Sequence, residues 1–429
     1  MSLLGSMDTA ISGLNAQAVA FSNISDNMAN SQTVGYKSVG TSFVDYLTSS
    51  TATENESGAV ASCPAYQNEV QGTIQQSSDP LGMAISGQGF FSVSEQAGAT
   101  SAGVPQFSSQ QYYSRTGDFT RNATGYLVNS SGGYLNGWAV NTATGAVDTS
   151  HLVPIQVAQT QFTPTPTTAM SLVANVPAIP TATTNLTAQT EIYDATGSIH
   201  QLQTNWAQTA PNNWTLSLSS PDNGAGGTPT IGSVAVTFNP NGTLASLGAA
   251  TGALTVTGSA TAGAVQISPD FGGGAQPITL GLGSFGAADG VTQFAGLNYT
   301  LTSANQNGSA PGSFTGISAT SDGNIVANYD NGRNVTIAQV PLITFENADA
   351  LQRQNGQAFT ATQDSGVAQV QHLNQNGAGG LVIGSTESSN VDIASQLSQL
   401  IVAQQAYGAN AKVITTANEL LTTTLNMKQ

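Results

Sequence analysis

Apolar side chains recur at alternating steps of three and four residues near both ends of the chain, which is the spacing of a coiled-coil seam. The C-terminal helix is predicted to begin at Ile393, with Ser389 or Asn390 as its N-cap, Asp392 in its first turn and Lys428 near its end. The two predicted seams consist of Leu4, Met7, Ile11, Leu14, Ala18, Phe21, Ser25 and Met28, and of Ile393, Leu397, Leu400, Gln404, Tyr407, Ala411, Ile414, Asn418, Leu421 and Leu425.

An amphipathic stripe normally packs against its own domain. Here the chain between the helices has a β pattern, so we expect each helix to pair with the other helix or with a copy in another subunit. The polar seam positions Ser25, Gln404 and Asn418 cost stability and can set the register. Because the helices carry almost no charge pairs, we expect assembly to order them.

Between the helices, short runs of β-branched and aromatic residues alternate with glycine and asparagine turns. The first helix should stop near Asn30, and residues 38–72 are predicted to be an extended connecting segment. Strands and turns between 84 and 135 indicate a compact all-β domain. A proline-rich junction at 164–180 precedes a second β pattern that runs to about 304, after which the first pattern resumes. The second β domain is therefore predicted to be an insertion in the first.

The predicted fold class is mainly β with long terminal α-helices that pair as a coiled coil, and with two nested all-β domains between them, the outer inserted in the inner. The predicted bounds are 1–37 and 386–429 for the helical domain, 38–72 and 367–385 for the connecting region, 73–145 and 305–366 for the inner β domain, and 146–304 for the outer β domain.

Composition narrows the possible functions. Only 7% of the 429 residues are charged, against roughly a quarter in ordinary domains, and the net charge is -16. This balance argues against binding to nucleic acid or to an anionic membrane. A surface of Ser, Thr, Asn, Gln and Gly is typical of proteins that work outside the cell or pack against their own copies.

Cys63 is the only cysteine, so no intrachain disulfide can form.

No cleavable secretory signal and no membrane span are predicted from the sequence. No basic residue precedes Lys37, which argues against a cleavable secretory signal, and the uncharged run from Ile393 to Ala411 holds too much Ser, Gln and Asn for a membrane span. If the protein is extracellular, we expect it to leave by a route that reads no cleavable signal.

No catalytic or metal-binding motif is visible. The three histidines, His151, His200 and His372, are far apart and lack paired ligand spacing. The pair Gly87 and Gly89 is better explained by a hairpin than by a nucleotide loop. The carboxylates Asp322, Asp330 and Asp364 each lie in a predicted turn. We therefore predict no catalytic residue, no cofactor and no metal.

Two terminal stretches resemble the flagellar axial family of rod and hook proteins. The N-terminal stretch carries Ala29, Asn30, Thr33, Gly35, Tyr36 and Lys37, and the C-terminal stretch carries Ser389, Asn390 and Val391, followed by 401–407. Stretches at 85–91 and 114–119 are also similar to the β domain of this family. The middle of the chain, at 193–200, 214–215, 238–244 and 323–345, favours the hook members over the rod members. One departure is Ser385-Thr386, where the family usually has a larger apolar residue.

The resemblance implies a structural subunit of the hollow, flexible hook, a universal joint that transmits torque from rod to filament. It implies a helical homopolymer whose terminal helices line the inner tube, export unfolded through the flagellar type III export apparatus, and an extracellular position in the flagellum. The implied partners are a hook cap protein, the distal rod protein and a hook-filament junction protein. The alternatives are a flagellar distal rod protein, a surface adhesin with a terminal coiled coil and an extracellular hydrolase.

Overall fold

The computed structural model describes residues 3–50, 55–98, 105–180, 186–224, 229–296 and 298–427. The chain divides into two compact units. The first comprises Met1–Gln159, Gly316–Asn328 and Asn334–Gln429, and the second comprises Thr160–Thr315 and Tyr329–Arg333. In sequence, the second unit is thus inserted between segments of the first.

Two long helices occupy the ends of the described chain: α1 (Leu3–Ala29) and α2 (Ile393–Asn426). They run antiparallel, because Asn27 bonds to Gln396 near one end while a side chain at Gly13 would meet Asn410 further along. The helix α1 stops one residue before the predicted position. These contacts confirm the predicted fold class of a β-rich chain with paired terminal helices.

The predicted N-cap of α2 was wrong. The Oδ1 of Asp392 accepts hydrogen bonds from the backbone N–H groups of Ala394 (2.9 Å) and Ser395 (3.3 Å), so Asp392 is the cap. The side chain of Asn390 does not cap α2, because it accepts the N–H of Ser38 at 2.7 Å and donates to the carbonyl of Val70 at 3.1 Å. Lys428 lies outside the described residues.

A long hairpin follows α1. Its strands β1 (Val39–Ser50) and β2 (Asn55–Tyr66) pair antiparallel. The hairpin contacts α1, where Asn23 Nδ2 donates to Thr41 Oγ1 at 2.9 Å and Ser12 Oγ accepts the N–H of Val60 at 3.0 Å. The prediction of an extended connecting segment at 38–72 was wrong, because pairing of the two Ser- and Thr-rich stretches satisfies their backbone groups.

The first unit is otherwise built of short strands. Its strands are β3 (Ile74–Gln76), β4 (Met83–Ser86), β5 (Phe91–Ser94), β6 (Tyr112–Ser114), β7 (Thr120–Arg121), β8 (Leu127–Val128), β9 (Tyr134–Val140), β10 (Val147–Pro154), β22 (Phe314–Ala319), β23 (Asn324–Tyr329), β24 (Asn334–Gln339), β25 (Leu342–Thr344), β26 (Gln352–Arg353), β27 (Ala358–Thr360), β28 (Gln369–Gln371), β29 (Gly380–Ile383) and β30 (Ser385–Glu387). Short 3-10 turns lie at Ala348–Ala350 and Asn355–Gln357.

The main sheet of the first unit has the order β22-β23-β24-β9-β5-β6-β27-β26, with β10 and β8 added at β9 and with β7 paired to β8. Within the described chain, β25 with β28, β4 with β29 and β3 with β30 form two-stranded sheets. Both β4 and β5 are buried almost throughout, around Phe90, Phe91 and Phe119. Segments from before 145 and after 315 therefore share one core.

The second unit contains two sheets. Its strands are β11 (Ala169–Asn175), β12 (Leu186–Tyr193), β13 (Ile199–Ala210), β14 (Asn213–Ser219), β15 (Thr230–Phe238), β16 (Leu244–Gly252), β17 (Leu254–Val256), β18 (Ala262–Ile267), β19 (Ile278–Ser284), β20 (Val291–Thr292) and β21 (Thr300–Gln306). One sheet is the antiparallel meander β12 to β16, and the other has the order β17-β18-β19-β11-β20 with β21 on β11. Their inner faces share one apolar core that includes Trp206, Trp214 and Leu216.

The predicted limits of the outer β domain differ from those of the second unit. The prediction began that domain at 146, but β10 pairs with β9 and so belongs to the sheet of the first unit. The prediction ended it at 304, in the middle of β21, which pairs along β11. The sequence signal at 146 is a turn, and a turn marks the end of a strand whether or not the domain ends there.

Trp214→Ala tests the core of the second unit. The indole is 1% exposed, so its removal should lower the free energy of unfolding of this unit by about 3–5 kcal/mol through lost burial and the cavity left behind. Urea unfolding followed by hydrogen exchange of second-unit peptides would measure the loss. Val256→Ala, at an exposed position of the same unit, is the control and should change the free energy by less than about 0.5 kcal/mol. Equal effects of the two variants would contradict this placement of the core.

Candidate assembly interface

A buried carboxylate joins the two ends of the chain in the first unit. Glu387 Oε1 lies 2.6 Å from Lys37 Nζ, and Glu387 Oε2 lies 3.3 Å from Arg115 Nη1. The side chains of Lys37 and Glu387 are fully buried, and that of Arg115 is almost so. Buried charges of this kind are tolerated only when each is paired and hydrogen-bonded. We call Lys37, Glu387 and Arg115 the ion triad.

Backbone groups complete the surroundings of the ion triad. Glu387 Oε1 also accepts the N–H of Gly72 at 2.7 Å, and the carbonyl of Glu387 accepts the N–H of Gly35 at 2.8 Å. Lys37 Nζ donates to the carbonyl of Val70 at 2.7 Å, and Arg115 Nη2 donates to that of Gly87 at 3.0 Å. The triad therefore fixes the segment after α1, the segment after the hairpin, a loop of the β core and the strand before α2.

A second guanidinium, half-buried, lies beside this junction. Arg353 packs over the rings of Tyr36, Tyr66 and Phe359, with its central carbon 5.3 to 5.9 Å from the ring centroids. It also donates to the carbonyl of Lys37. Contacts between guanidinium and aromatic faces strengthen when water is excluded. Arg353 thus connects β26 of the core to the chain that leaves α1.

Burial sets the electrostatics of the ion triad. Desolvation lowers the pKa of Lys37 to about 8, against the attraction of Glu387, and Arg115 lowers it further by repulsion. Desolvation also lowers the pKa of Arg115, with Glu387 acting in the opposite direction. Arg115 in addition lies 5.1 Å above the ring of Phe90. Two buried cations therefore depend on one carboxylate.

The most buried positions of the two helices lie beside the predicted seam, one or two residues from it. They are Ala10, Ala16, Ala20, Ile24 and Asn27 on α1, and Gln396, Ala403 and Ala417 on α2. Apart from Ile24, these side chains are small or carry an amide and allow close approach, and the hairpin covers α1 as well. Asn27 Nδ2 donates to Gln396 Oε1 at 3.1 Å in this contact.

The predicted seam residues divide into two sets. The half-buried set is Met7, Leu14, Phe21, Met28, Leu400, Ala411, Ile414 and Leu421. The exposed set is Ile11, Ala18, Ser25, Ile393, Leu397, Gln404, Tyr407 and Asn418. The ring of Tyr407 nevertheless meets Phe21 edge to face, with centroids 6.3 Å apart. Leu4 and Leu425 lie in the helices, but their side chains are outside the described residues.

Half of the predicted seam is thus uncovered in a single chain. The prediction left the partner of each helix open between the other helix and a copy in another subunit, and the apolar stripe on each helix is wider than the single partner in one chain covers. The participation of these residues in contacts between subunits stays a prediction.

Large apolar side chains are exposed on both helices and on the hairpin. We name this set the terminal apolar surface, and it comprises Ile11, Val19, Phe43, Val44, Tyr46, Leu47, Ile393, Leu397, Ile401, Val402, Val413 and Leu420. Val402 is 65% exposed and Leu420 is 58% exposed. A groove of about 530 Å³ runs beside Ile24, Phe43 and Val402. Apolar exposure on so many neighbouring elements is typical of an interaction surface.

The structure shows no arrangement for metal binding in its described part. Among these residues, no group of three or more His, Cys, Asp or Glu side chains is arranged to hold a metal ion. Cys63 is exposed on β2. Neither described helix has the length and apolar character needed to cross a membrane.

Family models match four stretches of the chain. The model "Flagella basal body rod protein" matches residues 7–37, and "Flagellar hook protein FlgE/F/G D1 domain" matches 84–187. The model "Flagellar basal body protein FlaE D2 domain" matches 158–309, and "Flagellar basal body rod FlgEFG protein C-terminal" matches 383–427.

Full-length relatives decide the assignment. The flagellar hook protein FlgE of Brucella abortus is 32% identical over 433 residues, which cover 100% of both chains. The chain belongs to the flagellar hook protein family. Another member, the flagellar hook protein FlgE of Salmonella typhimurium, is 30% identical over 436 residues, which cover 99% of this chain and 100% of that one. The crystal structure of Helicobacter pylori flagellar hook protein FlgE2 aligns with a TM-score of 0.49 and 12% identity over 72% of this chain and 98% of that chain.

The motif residues that resembled this family lie around the ion triad. Asn30 Oδ1 accepts the hydroxyl of Thr33 at 3.1 Å, and Tyr36 donates its hydroxyl to Asn27 Oδ1 at 3.1 Å. Gly35 takes a positive φ of 68°, and a Cβ there would lie 2.8 Å from the backbone nitrogen of Thr116. Ser389 Oγ accepts the N–H of Val391 at 3.3 Å. Ala29 ends α1.

Sequence reasoning missed the roles of Glu387, Arg115 and Arg353. Lys37 and Glu387 are 350 positions apart, and no spacing rule connects residues at that distance. The available signal was scarcity, because the chain has only 7 basic residues, and Lys37 and Arg115 both lie in stretches that resemble the family. A cation inside an apolar, glycine-containing stretch indicates a buried partner.

Glu387→Gln tests the ion triad. The variant leaves Lys37 and Arg115 buried without a counter-charge, so the first unit should lose about 3–5 kcal/mol of unfolding free energy. Urea unfolding followed by hydrogen exchange of first-unit peptides would measure it. Glu419→Gln makes the same chemical change at an exposed position of α2 and is the control. A loss below about 1 kcal/mol in Glu387→Gln would show that the triad does not hold the unit together.

The lowered pKa of Lys37 predicts a pH dependence. Between about 8 and 10.5, the unfolded chain holds a proton that the folded chain has released, so this group makes the unfolding free energy of the first unit rise with pH. The slope should reach at most about 1.4 kcal/mol per pH unit. Because burial raises the pKa of Tyr36 and Tyr113, which acts oppositely above about pH 10, the measurement stops near pH 9.5.

Lys37→Met is the variant for this pH series. It should flatten the rise between about pH 8 and 9.5, as measured by the same hydrogen-exchange experiment. A wild-type profile that falls across this window, or a rise that persists in Lys37→Met, would contradict the assignment to Lys37.

Proposed function

We propose that the terminal apolar surface packs against neighbouring copies of this chain, so that the copies form a helical tube. The family assignment makes the chain a structural subunit of the flagellar hook. The observation that supports the contact surface is the uncovered half of the helix seam, together with the exposed hairpin strand β1. Contacts between unlike faces that do not close on themselves generate a helical polymer.

The physical argument rests on the cost of exposed apolar area. Each large apolar side chain that leaves water contributes about 1.5–3 kcal/mol when it is fully buried. The terminal apolar surface has twelve such side chains, all more than a third exposed. Neighbouring copies would cover them and would order helices that have little charge pairing of their own.

The sparse charge suggests how such a tube would bend. Bending would require subunits to lengthen and shorten their spacing within each revolution, with the inner helices fixed and the second units sliding past one another. A surface with 7% charged residues makes few strong directional contacts, so sliding between near-equal packings would cost little. The tube would then act as a universal joint between rod and filament.

Further partners belong to the same proposal. The tube would grow beneath a hook cap protein, abut the distal rod protein at one end and meet a hook-filament junction protein at the other. The subunit would reach this extracellular position unfolded, through the flagellar type III export apparatus. The distal rod and adhesin alternatives are disfavoured, because the full-length relatives are named as hook proteins.

Leu397→Asp tests the contact surface. Leu397 is 44% exposed, so a carboxylate there should leave the single chain folded while it prevents apolar packing between copies. We expect no tubes by electron microscopy and an unchanged unfolding profile of the second unit.

Gln369→Asp is the control, since it introduces the same carboxylate at an exposed position of β28, outside the terminal apolar surface. It should polymerise. Normal tubes from Leu397→Asp would overturn the proposed surface, and so would failure of both variants, because the defect would then not be specific to this surface.

A further inference from the structure

One histidine of the second unit lies between two carboxylates. His200, on β13, has Nδ1 at 3.1 Å from Asp222 Oδ2 and Nε2 at 3.3 Å from Asp194 Oδ2. Its ring stacks on Phe271, with centroids 3.9 Å apart and planes 7° from parallel. Asp194 follows β12, Asp222 follows β14 and Phe271 follows β18. One imidazole thus contacts three separate turns.

The protonation state of the His200 ring determines how many of the two carboxylates it can donate a hydrogen bond to. An ionised carboxylate only accepts hydrogen bonds, whereas a neutral imidazole has one donor and one acceptor nitrogen. A neutral ring therefore satisfies one of the two carboxylates, and only the imidazolium donates to both. Burial raises the pKa of Asp194, but hydrogen bonds from Thr196, Ser198 and His200 outweigh it and hold that pKa below its usual value.

The two carboxylates are held very differently. Asp194 Oδ1 accepts the N–H groups of Thr196 and Ser198, both at 2.8 Å, so its turn is fixed without the histidine. Within the described part of the chain, the Asp222 carboxylate has no hydrogen-bond partner other than His200, and its side chain is 53% exposed. The Asp222 turn is therefore the one that depends on the proton.

We propose that His200 is a proton-dependent clasp, in which the imidazolium holds the Asp222 turn to the Asp194 turn and loss of the proton releases the Asp222 turn. The clasp is complete while the ring carries both protons and loses one bond as the pH rises. It is a property of the second unit alone and does not rest on polymerisation.

The remaining charges near the clasp are also acidic. Asp270 lies next to Phe271, and its Oδ1 accepts the N–H groups of Gly272 and Gly274. Glu191, on the neighbouring strand β12, stands opposite Gln201. In the described elements around His200 the charged side chains are thus carboxylates, each of which can accept a hydrogen bond from the ring but cannot donate one when ionised.

Two backbone amides can report whether the Asp222 turn is released. The N–H of Gly224 donates to the carbonyl of Asp270 at 2.7 Å, and Asn223 Oδ1 accepts the N–H of Asp270 at 3.0 Å. These bonds join the Asp222 turn to the Phe271 loop beside the clasp. If the clasp opens, the amides of Gly224 and Asp270 should exchange faster with solvent.

The experiment is amide exchange of the full-length chain between about pH 5 and 8, the range in which histidines change charge, corrected for the intrinsic pH dependence of exchange. Protection of Gly224 and Asp270 should fall with rising pH by about fivefold, the ratio expected for one exposed ion pair. Imidazole nitrogen chemical shifts, assigned with His200→Gln, should show a doubly protonated ring wherever protection is high.

Two variants separate the clasp from ordinary packing. His200→Gln should have low protection at every pH. Asp222→Asn should keep its protection at every pH, because an amide can donate to the neutral ring as well as accept from the charged one. His151→Gln is the control, since His151 lies 3.9 Å from Asp148 in an exposed pair and should leave the profile unchanged.

Constant wild-type protection across the range would overturn the proposal. So would an Asp222→Asn profile that falls with pH as the wild type does. Because exchange at these amides is measured on the unassembled chain, either result leaves the assembly proposal untouched, and failed assembly of Leu397→Asp leaves the clasp untouched.

Discussion

The first unit depends on a single buried carboxylate. Glu387 pairs with both Lys37 and Arg115 and accepts the N–H of Gly72, all away from water. A buried, unpaired charge costs far more than a missed apolar contact, so the segments that carry these three side chains have to arrive together. Those segments are the exit from α1, the approach to α2 and the edge of the β core. The constraint explains how a chain that begins and ends in helices closes on itself.

Charge scarcity gives this constraint its importance. The chain has 7 basic residues, and Lys37, Arg115 and Arg353 are placed at the junction between the helices and the β core. Hydroxyl, amide and apolar groups, with scattered carboxylates, make up the rest of the surface. Rigid ionic contacts lie inside the subunit, and weakly directional contacts lie on its outside. A subunit that has to keep its own shape while its neighbours shift would need this distribution.

The terminal helices show how far periodicity alone carries a prediction. The steps of three and four residues correctly place α1 and α2 and indicate their pairing. This spacing does not determine which side of a wide apolar stripe faces the other helix. In the structure the small residues Ala16, Ala20 and Ala403 are buried there, because they permit close approach of the two helices. The larger Ile393 and Leu397 remain outside. The sequence periodicity of one chain does not reveal which of its side chains contact a neighbouring subunit.

Strands were predictable from the sequence where a glycine and asparagine turn marks their ends. Strands without such turn residues were missed. Asn239 to Gly242 marks the end of β15, and Gly242 adopts the positive φ of 82° that such a turn requires. The β1 and β2 hairpin was missed because its Ser- and Thr-rich strands lack strong alternation, and its stability comes from contact with α1 through Thr41 and Val60. The ion triad was beyond reach, because its members are hundreds of residues apart.

A helical reconstruction of the assembled polymer by electron cryomicroscopy would show which surfaces of the subunit touch neighbouring copies. We expect Ile393, Leu397, Ile401 and Leu420 to be covered by those copies, with the bonds from Glu387 to Lys37 and Arg115 intact in every subunit. A reconstruction in which these four side chains face the open channel or bulk solvent, while other surfaces carry the contacts, would contradict it.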